Sequence, residues 1–177
     1  MKKTIILCLF FAFVFSDTTF AESNIPKEQI MKVVNDYSRT IGCLKNLEEK
    51  NIINFNEKNK YVVLFSIDPE CSGGSAMDHS ALAVLIQDYK GRIFIKPSES
   101  FPVATNNLPS RIESIYIKEN ELRYSAKDFN WAIANKDPNI EGDALCCPSL
   151  NVEGRLSFKN GKWEAESISI YNVEKTK

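Results

Sequence analysis

The sequence predicts an α+β fold, an N-terminal amphipathic helix packed on a curved antiparallel β-meander of about six to seven strands and stapled by disulfides. Three observations predict it. Ile30, Val33, Val34, Tyr37 and Ile41 recur at helical spacing and give one apolar face. From residue 61 onward, short β-rich runs alternate with Gly and Asn turn signals. Four cysteines, Cys43, Cys71, Cys146 and Cys147, follow a leader of the export type.

That leader is MKKTIILCLFFAFVFSDTTFA, in which Lys2 and Lys3 precede an uncharged run from Thr4 to Ser16 and a polar stretch ending at Ala21. The pattern predicts a signal peptide cleaved after Ala21, leaving 22–177 as a single α+β domain in the periplasm. Asp17 and two threonines end the apolar run before the ~20 residues a membrane span needs, so no transmembrane segment is expected. Cys8 lies inside the apolar run behind Leu7, which argues against a lipid anchor. The whole chain carries 22 Lys and Arg against 23 Asp and Glu. Removing Lys2, Lys3 and Asp17 leaves a small negative excess, and such a balance draws no nucleic acid.

The helix is expected to enter through Ser23-Asn24-Ile25-Pro26, with Glu28 beside its positive end. Gly42 interrupts it, and Leu44 and Leu47 predict a second short turn that carries Cys43 to the buried side. The runs at 61–67 (YVVLFSI) and 81–88 (ALAVLIQD) are continuous enough to be central strands covered on both faces. The third strand, 92–96, follows through a turn in which Gly91 supplies a positive φ. Two further hairpins pair 111–117 with 121–126 through Glu119-Asn120, and 154–160 with 163–171 through Asn160-Gly161.

The doublet Cys146-Cys147 is read as structural. Adjacent Cα atoms lie only about 3.8 Å apart, below the range a disulfide prefers, so a bridge within the doublet is strained. Neighbouring side chains of an extended segment point to opposite faces. Cys146 and Cys147 are therefore expected to bridge separately to Cys43 and Cys71, in either order. A redox switch within the doublet and a thiolate metal site are the alternatives. One histidine and no CxxC spacing match zinc poorly, and no metal or cofactor is expected.

The run DALCCPSL, followed by SFKNGKW, resembles the C-terminal signature of small exported bacterial proteins of the LppP/LprE lipoprotein type. The resemblance spans about 25 residues, and in that type an acidic residue shortly precedes CCPS and a β-hairpin follows. It implies an envelope location and a disulfide-pinned β domain, with no activity attached. The chain departs from the type in lacking a lipid-attachment cysteine, so membrane tethering does not carry over.

Four stretches are candidates for function. DPECSGGSAMDHS (68–80) gathers Cys71, Ser72, Ser75, Asp78 and His79, the only histidine. It is a loop able to touch a ligand through Ser72, Ser75 and His79. As a hydrolase centre built on Cys71, Ser75 and His79, it lacks both GxSxG and a nucleophile-elbow context. DPNIEGD (137–143) opens like a calcium loop, but the closing position is Pro148. In KDFNWAIA (127–134), Phe129, Trp131 and Ile133 alternate onto one face, and burial in the core is the commoner fate of such a set. SESFPVATNNLPS (98–110) presents Phe101 as the other wall of a cleft. These features predict a binding or accessory protein of the bacterial envelope, such as an inhibitor or an immunity-type protector, engaging an unknown protein or envelope ligand. A small hydrolase and a structural envelope component without a discrete ligand are the other readings.

Overall fold

The structure, a computed structural model, describes residues 25–55, 59–74, 78–104, 108–109, 111–137, 139, 141–144 and 147–172, the side chains of 171 and 172 excepted. The expected leader, residues 1–21, lies outside the described residues.

Eight strands build two four-stranded antiparallel sheets, which corrects the expected single meander. The first sheet has the order β1 (Cys43–Asn54), β2 (Lys60–Asp68), β3 (His79–Gln87), β4 (Ile93–Ile95). The second has the order β5 (Arg111–Lys118), β6 (Glu121–Asp128), β7 (Leu150–Lys159), β8 (Lys162–Asn172). The break falls after β4 for a physical reason. The chain turns through a 3-10 segment at Pro97–Glu99 and runs back beside β3. There the Lys96 N–H donates to the Val84 carbonyl at 2.7 Å and the Phe101 N–H to that of Leu82 at 2.9 Å. That edge of β3 is thus filled, and β5 opens a new sheet.

Two apolar layers result. In β2, Val62 and Leu64 face the second sheet while Val63, Phe65 and Ile67 face the helix, so β2 reads as apolar throughout. The helix α1 (Lys27–Ser38) places Ile30 and Val34 on Phe65, Ile67, Ala81 and Leu85. Between the sheets, Leu64, Leu82 and Val84 pack with Ile112, Ile115, Leu122, Tyr124, Val152, Leu156 and Trp163. Truncating one such buried leucine costs about 2–5 kcal/mol. Trp163 anchors the far corner, its indole N–H donating to the Glu99 carbonyl at 2.8 Å.

The turns at Gly91 (φ 80°), Glu119-Asn120 (54° and 61°) and Asn160-Gly161 (51° and 78°) have the positive φ values expected of them. Two local expectations fail. The segment after Gly42 is the strand β1 and contains no second helical turn. Residues Trp131–Ala134 are a short helix, α2, and not a strand. Their aromatic set is also less buried than expected, Trp131 being 39% and Ile133 37% exposed.

Candidate functional site

The site begins with a mismatch in β1. Leu47 pairs with Phe65 and Ile52 with Val63, so the four residues Glu48–Asn51 stand opposite Leu64 alone and bow out of the first sheet. Asn51, 3% exposed, crosses to the second sheet. Its Oδ1 accepts the Ile115 N–H at 3.2 Å and its Nδ2 donates to the Glu113 carbonyl at 3.4 Å. β5 has its own irregularity between Ile112 and Ser114, at Glu113. A second bridge closes the far side, where the Ser80 Oγ accepts the Ile112 N–H at 2.7 Å.

The two bulges border one cleft of about 630 Å³. Its floor includes Leu64, Ser66, Ser80 and Ile112, and its walls carry Glu48, Lys50, Asp78, Arg111, Glu113 and Lys127. Charges of both signs are therefore present in equal number. Arg111 and Lys127 are register partners across β5 and β6, and the Lys127 ammonium donates to Asn151 Oδ1. Hydrogen bonds from Asn46 Nδ2 at 2.8 Å and Lys50 Nζ at 2.6 Å hold the Glu48 carboxyl below its ordinary value. Asp78 lies 3.9 Å from Lys45 Nζ, which is equally far from Asp68. Asp68 organises the adjoining turn. The Gly73 N–H at 2.8 Å is the main cause that holds its carboxyl low, against the opposing effect of burial, and the Glu70 N–H at 3.1 Å adds to it.

The disulfide lies at the same end. Cys43 bonds Cys71 with Cα atoms 5.2 Å apart, which overturns the expectation that each would take one member of the doublet. The register explains it. Cys43 opposes Asp68, and the turn through Pro69 and Glu70, closed by the Cys71 N–H on the Asp68 carbonyl at 3.3 Å, returns Cys71 over the start of β1. Cys147 is itself disulfide-bonded, and Cys146 lies outside the described residues. With its sulfur bonded, Cys71 offers no thiolate for a hydrolase centre.

Of the residues singled out from sequence, Ser72 is exposed in the turn after β2 and His79 is exposed as the first residue of β3. Ser75 lies outside the described residues. Phe129 and Trp131 stack with ring centroids 4.2 Å apart and planes 11° from parallel, directly after the strand that carries Lys127. The Trp131 indole N–H donates to the Asp143 carbonyl at 2.6 Å. Asn130 and Asp143 clasp the base of this loop reciprocally, each backbone N–H donating at 2.8 Å to the other's side-chain oxygen. Asp143 Oδ2 also takes the Ser149 N–H at 2.9 Å. Phe101 sits elsewhere, half-buried in the helix-side core with its carbonyl accepting the Tyr37 hydroxyl, so it forms no wall of the cleft.

Asn51, Ser80, Arg111 and Lys127 were not singled out from sequence, because only the pairing of strands reveals that they converge. Asp137 takes the Asn139 N–H in a local turn at 2.9 Å. Among the described residues no group of three or more His, Cys, Asp or Glu side chains is placed to hold a metal, and no helix is long and apolar enough to cross a membrane. The architecture is thus a two-sheet β structure with one helix laid on its outer face. Compared with protein-family models, curated proteins and solved structures, the chain matches none.

Proposed function

We propose that this is an exported, periplasmic binding module of the bacterial envelope, inhibitor- or immunity-like in kind. It takes a polar, charge-bearing segment of a partner in the cleft between β1 and β5, with the Phe129–Trp131 stack on the adjoining loop. The observation that carries the reading is the cleft, bordered by two independent bulges and walled by six charged side chains. Its volume falls in the range of ligand sites. Its polar walls suit a ligand that brings hydrogen bonds and charges of its own. The leader and the Cys43–Cys71 disulfide support export.

The test is affinity capture from a native envelope extract with the mature chain, beside a cleft-filling Ser66→Trp variant and a Tyr89→Ala control on the exposed β3–β4 turn. A stoichiometric ligand retained by wild type and control but lost from Ser66→Trp is expected. Equal capture by all three, with Ser66→Trp folded, removes the cleft from the reading.

A further inference from the structure

We infer that the segment seated in the cleft, given the reading of the cleft as a partner's site, presents a cationic side chain, an arginine or a lysine, to the carboxylate of Asp78. The register of β2 on β3 builds that end of the cleft in steps. Val62 pairs with Val84 and Leu64 with Leu82 on the face toward the second sheet, and the next pair on that face is Ser66 with Ser80. One step further the same register falls on Asp68 and Asp78, whose carboxylates both lie 3.9 Å from the Lys45 ammonium. The inner face thus passes from apolar pair to hydroxyl pair to carboxylate pair as it leaves the core.

The two carboxylates are not neutralised alike. One lysine serves both, and 3.9 Å is beyond hydrogen-bond reach. Asp68 makes up the shortfall with the N–H groups of Glu70 and Gly73. Asp78 does not, since its Oδ1 is a buried atom without a hydrogen-bond partner among the described residues. A buried carboxylate oxygen left unmet is costly, so a ligand that brings an N–H donor to it gains what the fold leaves unsatisfied. The side chain as a whole is 31% exposed, so the carboxylate is reached from the cleft, and a turn about its terminal bond exchanges the two oxygens.

The cations lining the cleft are already engaged. The Lys50 ammonium is held by Glu48 at 2.6 Å, the Lys127 ammonium donates to Asn151, and Arg111 has a partner of its own. The charge that Asp78 calls for is therefore positive and comes from the ligand. An arginine or lysine suits the approach as well as the end point, because its aliphatic stem can lie along Leu64 and Ile112 while the head reaches Asp78. A bare metal ion fits less well, since among the described residues no third carboxylate, imidazole or thiolate joins the two aspartates.

The test selects a random heptapeptide library, displayed on phage, against immobilised residues 22–177 and discards clones that also bind Ser66→Trp. The peptides that need the open cleft should share an arginine or a lysine. In synthetic form they should bind about tenfold or more weakly when that residue is exchanged for neutral citrulline or norleucine, and the same exchange should cost little against Asp78→Asn. Cleft-dependent peptides that lack a cation, or that bind Asp78→Asn undiminished, overturn the inference and leave the cleft as a partner's site. A library that yields no cleft-dependent peptide overturns both. Should Asp78→Asn misfold, the citrulline or norleucine exchange decides alone.

Discussion

The side chain of Asn51 is paired with the backbone of Ile115 as a neighbouring strand would be, accepting its N–H at 3.2 Å while donating to the Glu113 carbonyl two residues earlier. One amide thereby holds the bulge of β1 against the edge of β5 and keeps the cleft open between them. Asn51→Ala orphans both backbone groups of β5 in a buried setting. The expected loss is about 2 kcal/mol of unfolding free energy, read as a lowered urea midpoint. An unchanged midpoint means that the two sheets are held together without this bridge.

Gly154 lies beneath the ring of its register partner Tyr124. A Cβ there would come within 2.4 Å of both the Tyr124 Cζ and the Glu166 carbonyl oxygen. Gly154→Ala must displace the ring or spread β7 from β8, at a cost of about 1–3 kcal/mol. Thermal unfolding of the variant beside wild type measures it, and a neutral result would place the Tyr124 ring elsewhere.

All four cysteines of residues 22–177 should be oxidised. Cys43–Cys71 closes a separation of 28 residues, and Cys147 is bonded as well. Thiol titration under denaturing, non-reducing conditions should read zero, and one or more thiols per chain would contradict it. Replacing Cys43 and Cys71 together by alanine should lower stability by about 2–4 kcal/mol.

The depressed acidity of Asp68 makes a pH-dependent contribution with a definite sign. A carboxyl whose folded pKa lies below its unfolded value of about 3.9 stabilises the fold fully above that value, and loses the contribution as pH falls through the folded pKa. Asp68→Asn should therefore be less stable than wild type at pH 7, with the gap narrowing as the pH is lowered below 4. Urea midpoints of the two proteins at pH 7 and pH 3 test this, and a gap that is constant with pH would show that the Gly73 and Glu70 bonds do not depend on the charge.

The hairpins were legible in the sequence because their turns need residues that tolerate positive φ, and Gly91, Asn120 and Gly161 stand where those turns fall. β2 and β3 were legible as doubly covered strands from their unbroken apolar runs. β1 was not, since Leu44 and Leu47 at helical spacing, with Lys45, Glu48, Glu49 and Lys50 between and after them, imitate a helical turn. An exposed edge strand with a wide bulge has no strict period of two to reveal it. That single omission carried into the disulfides, because only the β1–β2 register brings Cys43 opposite Asp68 and so beside Cys71. The division into two sheets was hidden for a different reason. It depends on the 96–101 segment filling the edge of β3, and that is decided by backbone bonds no residue pattern announces. The cleft inherits both difficulties, whereas the aromatic pair on the adjoining loop was visible as Phe129 and Trp131 from the start.

The reciprocal bonds between Asn130 and Asp143 separate the foot of a surface loop from its crown. Because the foot is fastened by side chains and backbone that belong to it alone, the strands on either side need not sense what lies above. Such a loop is an attachment point, since segments of new length or sequence can be grafted into its crown around Asn139 while β6 and β7 keep their register. The molecule can thus exchange what it displays at this end without renegotiating how it folds.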